Sequence, residues 1–162
     1  MQTRCSTYLT IAYRLMRNIR STREYSRHSF YLATETKMDD YIAVTLSNLS
    51  WSYFSEAKYH QAASYLDQSL THWNDVATRF EYPFLWLSHL QAIALCGMNE
   101  EFADKYLIHI PNFASILLDT RQVSLPKAIE NLLIQLSDTR SISHQMHLIE
   151  PLIKTAVEYR LL

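Results

Sequence analysis

His144 and His147, in the run "HQMH", stand three residues apart, a spacing that sets two imidazoles on one face of a helix, where they could chelate a divalent metal. Apart from Glu150, neither a carboxylate nor a cysteine stands nearby to complete a ligand set. The pair therefore reads as a polar surface with Met146 packed inward. Cys96, beside Gly97 at the end of an apolar stretch, has no base in its sequence context to draw off its proton, and it reads as a small core residue rather than a nucleophile. The acids Glu100, Glu101 and Asp104 fall in the opening turns of a predicted helix, where stabilisation of the helix dipole accounts for them. Arg14, Arg17, Arg20, Arg23 and Arg27 recur every three or four residues and could bind phosphates. The overall charge of −1 and the lack of interleaved base-stacking aromatics argue against nucleic acid, so these arginines are expected to face solvent or a protein partner. No catalytic residue, metal or cofactor is expected, and the chain does not read as an enzyme.

The elements that position these residues are helical. One glycine, Gly97, and four prolines occur in 162 residues, against an average usage of about eleven and eight. That scarcity disfavours tight-turned β structure and rules out a glycine-rich phosphate loop. Apolar spacings of three and four predict eight helices in four hairpins. Tyr8, Leu9, Ala12, Leu15, Met16 and Ile19 mark the inward stripe of the first, and Tyr25, Leu32 and Ala33 that of the second. Asp39 and Asp40 are expected to cap and open the third, which continues through Val44, Leu46, Leu49, Tyr53 and Phe54. The fourth spans about 61–80 with Ala62, Leu66, Trp73 and Ala77 inward. Pro83 suits the first turn of the fifth and Gly97 its C-terminal cap. The sixth begins near Glu100 and breaks at Pro111; Pro126 opens the seventh; the eighth runs from about Ile142, with Pro151 bending it.

Charge is uneven along this array. Residues 1–30 carry six arginines against Glu24 alone, a surplus of five, which leaves the rest of the chain at −6. An arginine-rich, hydroxyl-rich start is also the composition of an organelle transit peptide; the default expectation is a cytoplasmic protein with no membrane span. Two cysteines do not make a disulfide framework.

In the stretch "NLSWSYFSEAKYHQAASYLDQSL", residues 48–70, Leu49, Ser50, Tyr53, Ala62, Leu66 and Ser69 match the spacing of the 34-residue tetratricopeptide repeat. Small residues at 50, 62 and 69 let two helices approach, while Ala57 and Tyr59 close the hairpin. A shift of 34 sets Tyr25 on Tyr59 and Leu15 on Leu49, and Gly97 takes the Ala57 position of a third repeat. The chain thus resembles a tetratricopeptide-like domain. The resemblance implies an all-α fold of stacked hairpins in a right-handed superhelix, one domain over 1–162 with repeats at about 9–42, 43–76, 83–118 and 124–160.

Residues that this resemblance places on the concave face, and hence in a partner-binding groove, are Tyr13, Arg17, Ser47, Asn48, Trp51, Phe84, Leu87 and Gln91. Only Asn48 matches the residues with which such domains clamp a chaperone's terminal carboxylate, so that ligand is not carried over. The order of "NLSW", "YPFLWLSHLQAIALCG" and "LLDTRQVSLPKAI" also resembles the C-terminal repeats of large bacterial signalling ATPases and nucleotide cyclases. The implied function is a non-catalytic scaffold that binds a peptide or partner domain; the alternative is a regulatory tail of an ATPase or cyclase assembly.

Overall fold

The computed structural model describes residues 2–75, 82–119 and 125–162, with backbone alone at 74–75 and 82–85. All regular structure among them is helical: α1 (Gln2–Leu15), α2 (Ile19–Glu35), α3 (Asp39–Phe54), α4 (Tyr59–Asp75), α5 (Tyr82–Cys96), α6 (Glu100–Tyr106), a 3-10 turn (Leu107–His109), α7 (Ile110–Asp119), α8 (Lys127–Asp138) and α9 (Ile142–Glu158). The all-α expectation holds. The sixth predicted helix is α6 and α7, divided by the 3-10 turn, so that Pro111 falls in the first turn of α7, where its missing N–H leaves no bond unmade. Asn18, Asn99 and Ser141 cap α2, α6 and α9 with side-chain oxygens. Asp39 is not the cap of α3: that position is Met38, and Asp39 and Asp40 lie in the first turn, where their charge opposes the helix dipole. Ala77 lies outside the described residues.

Contacts divide the chain into two compact units, 1–85 and 86–162. In the first, α1 to α4 pack each on the next and α1 also touches α3. Every residue of α3 from Ile42 to Tyr53 is buried, including Thr45, Ser47, Asn48, Ser50 and Ser52. Such a helix shows almost no amphipathic pattern, because small hydroxyl side chains fill the positions where neighbouring backbones come close. They satisfy themselves on backbone: the Ser50 hydroxyl donates to the Ala62 carbonyl at 2.9 Å and the Ser69 hydroxyl to the Ala43 carbonyl at 3.0 Å, both across the α3–α4 seam. Leu49 and Leu66 fill what remains, and the rings of Phe54 and Tyr59 meet at the hairpin end.

Arg17, Lys37 and Ala57 follow α1, α2 and α3 in the left-handed region, with φ of 58°, 51° and 57°. The next residue's N–H then reaches back five residues, Asn18 to Tyr13, Met38 to Ala33 and Lys58 to Tyr53, at 2.9, 2.9 and 3.0 Å. This closure satisfies the last carbonyls of each helix and usually employs glycine. A side chain there costs about 1 kcal/mol. Lys37 is exposed, so Lys37→Gly is expected to stabilise the chain by about 0.5–1 kcal/mol and to raise its melting temperature by roughly 2–4 °C in calorimetry.

Arg17 and Ala57 are forty residues apart, and the aromatic pairs repeat with them. Tyr13 stacks on Tyr25 (centroids 5.1 Å, 19°) and Tyr53 stacks on Tyr65 (5.4 Å, 11°). Tyr25 therefore stands in its hairpin where Tyr65 stands in the next, an offset of forty residues rather than the 34 that would set it on Tyr59. Helices of 16 or 17 residues at α2 to α4 account for that offset.

The second unit centres on Ile93, Ile110, Leu117, Ile129, Leu133 and Ile149, none of them exposed. Trp86 is buried with its indole N–H on the Leu117 carbonyl at 3.3 Å. Gly97 directly follows α5, where the C-terminal cap is expected, but it does so without a positive φ. Its role is space: a Cβ there would lie 2.9 Å from Ile149 Cγ2 and 2.9 Å from Ile153 Cδ1, so α9 approaches the end of α5 across a bare backbone. On α9 itself Gln145, Leu148 and Ile149 face inward while Met146 is 37% exposed. That reverses the expectation for Met146, because the inward stripe runs 145, 148, 149, 152 and 156.

Candidate partner-binding surface

Helix α1 buries Thr3, Ser6, Thr7 and Thr10, at intervals i, i+3, i+4 and i+7. Against them α2 sets Thr22, Ser26, Ser29 and Ala33 with the same periodicity. Two stripes of small side chains thus face each other, and the hydroxyls of Thr7 and Ser29 bond across the seam while Thr7 and Thr10 also donate to carbonyls of their own helix. The consequence falls on the opposite face. Tyr8 is 64% exposed, Leu9 43%, Leu15 71% and Met16 72%. The stripe expected to point inward points outward, with Cys5 and Ala12 also exposed between these side chains.

Positive charge borders this face. Arg4 is exposed on α1, and Arg17 and Arg20 are exposed where the chain leaves it. Arg14 is largely withdrawn from water; burial first, then the charge of Arg17, pulls its guanidinium down to about 10, so it still carries its charge at neutral pH. Arg17 Cζ stands 5.8 Å from the Trp51 ring centroid. Two arginines further along α2 are tied in place. Arg23 lies 4.2 Å over the Tyr53 ring, donates to the Ser52 carbonyl at 3.0 Å and pairs with Glu56 at 2.8 Å. Arg27 donates to the Tyr53 hydroxyl at 2.8 Å. Together with Arg20, Glu24 and Glu56 they wall a depression of about 560 Å³. Hydrogen bonds from Lys58 and then Arg23 hold the Glu56 carboxyl below its ordinary range.

The residues assigned to a concave groove do not share one exposed surface. Arg17 is exposed and Tyr13 half-buried. Ser47, Asn48, Leu87 and Gln91 are buried, and Trp51 is 2% exposed. Asn48 donates to the Val44 carbonyl at 2.9 Å. Phe84 lies outside the described side chains. Of the set, Arg17 and Trp51 come together, as cation and ring.

Cys96 is buried and its thiol is pushed up to about 12 by desolvation, which keeps it protonated. His144 and His147 are exposed, and no group of three or more His, Cys, Asp or Glu residues that could hold a metal occurs among the described residues. No helix among them is long and apolar enough to cross a membrane.

Searches of protein-family models, curated proteins and solved structures return no match to this chain.

Proposed function

We propose that the chain is a non-catalytic, cytoplasmic helical-repeat module that docks an acidic amphipathic helix of a protein partner on the outer face of α1. The observation that supports this is the inverted helix: Tyr8, Leu9, Leu15 and Met16 lie in water while hydroxyls line the seam behind them. Burying one such side chain is worth about 1.5–3 kcal/mol. A monomer gains nothing by leaving four of them exposed side by side, and contiguous apolar faces of this kind mark interaction sites.

The spacing 5, 8/9, 12, 15/16 is that of one helix face meeting another. Charge selects the partner. Six arginines among the first thirty residues, with Arg4, Arg17 and Arg20 at the margins, favour a helix whose apolar stripe is flanked by Asp or Glu. A second copy would bring the same positive border against itself.

The test is copurification from cell extract with the wild type, with Leu15→Glu/Met16→Glu, and with the control Ile134→Glu, an exposed apolar position on α8. Each variant is first shown to have unchanged helicity. Partner retention should fall at least tenfold for the double variant and stay level for the control; equal retention by all three would remove α1 as the docking surface.

A further inference from the structure

Of the five arginines spaced three and four residues apart at the start of the chain, three meet at one depression. Arg20, Arg23 and Arg27 fall on successive turns of one face of α2, and with Glu24 and Glu56 they line its volume of about 560 Å³. Two of the guanidinium groups are held from behind. Arg23 lies 4.2 Å over the Tyr53 ring, donates from Nε to the Ser52 hydroxyl at 3.3 Å and from Nη2 to the Ser52 carbonyl at 3.0 Å, and pairs through Nη2 with Glu56 at 2.8 Å. Arg27 donates through Nη2 to the Tyr53 hydroxyl at 2.8 Å. Arg23 Nη1 and both Nε and Nη1 of Arg27 are left with no acceptor among the described residues. Arg20 is exposed and forms no hydrogen bond or ion pair among them. Glu24 stands one turn from Arg20 and from Arg27, spacings at which helical ion pairs form, and pairs with neither. Lys58 is bonded to Glu56 at 2.7 Å. Four cations therefore meet two carboxylates here, a surplus of two positive charges. Like charges gathered at one opening repel, and an anion with several acceptors relieves that repulsion.

We propose that this depression binds a phosphorylated serine or threonine side chain of a protein partner, its phosphate oxygens accepting from Arg20, from Arg27 and from Nη1 of Arg23. A phosphate monoester carries about −1.5 to −2 at neutral pH and three strong acceptor oxygens, which matches both the surplus charge and the open guanidinium edges. Arginine forks pair with such a group bidentately, and Arg23 and Arg27, already held, lose little side-chain freedom on binding. A carboxylate supplies one charge and two oxygens. Glu24 and Glu56 in the lining repel the further phosphates of a nucleic-acid strand, and no aromatic ring lines the depression for a base to stack on. A phosphate alone fills a small part of about 560 Å³, which leaves room for the residue that carries it. The site lies on α2 and the turn after α3 and does not depend on the docking of a helix on α1.

The probe is the capped peptide acetyl-Ala-phosphoserine-Ala-amide, titrated into the full ¹⁵N-labelled chain at neutral pH and followed through the amides of α2 and the arginine Nε–H signals. Its serine and glutamate versions, inorganic phosphate, an oligouridine strand and phosphatidylcholine vesicles containing a phosphoinositide are the comparisons. Shifts should saturate for the phosphopeptide, centre on Arg20, Arg23 and Arg27, and be at least tenfold weaker in affinity for every comparison. Arg20→Gln, which removes a side chain with no contact to lose, should weaken binding roughly fivefold at unchanged helicity and melting temperature. Glu24→Gln, which removes a like charge from the lining, should strengthen it about threefold, a gain that a misfolded chain does not produce. Absence of saturable shifts, equal binding of the glutamate peptide, or an Arg20→Gln chain that binds like the wild type would overturn the site. Inorganic phosphate binding as tightly as the peptide would reduce it to a small-anion site, and tighter binding of oligouridine or vesicles through the same arginines would give it to those ligands; either result overturns the phosphorylated partner.

Discussion

Trp51→Ala is expected to cost the first unit about 3–5 kcal/mol, enough to lower its melting temperature by roughly 12–20 °C. The indole is 2% exposed in the middle of a helix buried on all sides, so truncation leaves a cavity that packed neighbours fill only in part. The guanidinium of Arg17, 5.8 Å from the ring, adds about 0.5–1 kcal/mol at most. Arg17→Gln should therefore cost under about 1 kcal/mol. The two substitutions separate a core role for Trp51 from a recognition role. If Trp51→Ala melts within about 1 kcal/mol of the wild type, the ring is not part of the core and the groove assigned to it becomes tenable.

Gly97→Val should destabilise the second unit by about 2–3 kcal/mol and Gly97→Ala by about 1 kcal/mol. No backbone strain enters, since Gly97 has no positive φ; the cost is steric. Ile153 Cδ1 is the end of a half-buried side chain and can swing aside. Ile149 Cγ2 branches from the Cβ of a residue with no exposed surface, so any relief there must shift α9. Chemical denaturation of the two variants checks the order, and Ile149→Ala in the Gly97→Val background should recover part of the loss. A neutral Gly97→Val would mean that α9 does not lie against the end of α5.

Helix positions were legible because punctuation is local. Pro83, Pro111 and Pro126 fall at the first turn or the cap of α5, α7 and α8, and Asn99 caps α6. Facing was not legible where hydrophobicity is not what is buried. A periodicity reading turns Leu15 and Met16 inward, yet the stripe that packs is Thr3, Ser6, Thr7 and Thr10. The signal lay in the matching hydroxyl stripe at Thr22, Ser26 and Ser29, which only a pairwise comparison of the two helices exposes. The same substitution of smallness for apolarity buried Ser47 and Asn48, taking them out of any open groove. The position of Tyr25 was misplaced for a related reason: a 34-residue template sets Tyr25 on Tyr59, whereas the stacked pairs Tyr13–Tyr25 and Tyr53–Tyr65 set it on Tyr65.

The orientation of α1 underlies the docking surface, and thiol accessibility measures it directly. In a Cys5→Ser chain the sole native thiol is Cys96, buried and held protonated with a value of about 12, so it stays silent at pH 8. Leu15→Cys and Thr10→Cys then report the two faces of α1. Labelling at position 15 should proceed at the rate of the unfolded chain, and labelling at position 10 should be slower by roughly a hundredfold, as required when reaction waits on local opening of about 3 kcal/mol. Fast labelling at position 10 with protection at position 15 would turn the helix over, return its apolar stripe to the core and contradict the account.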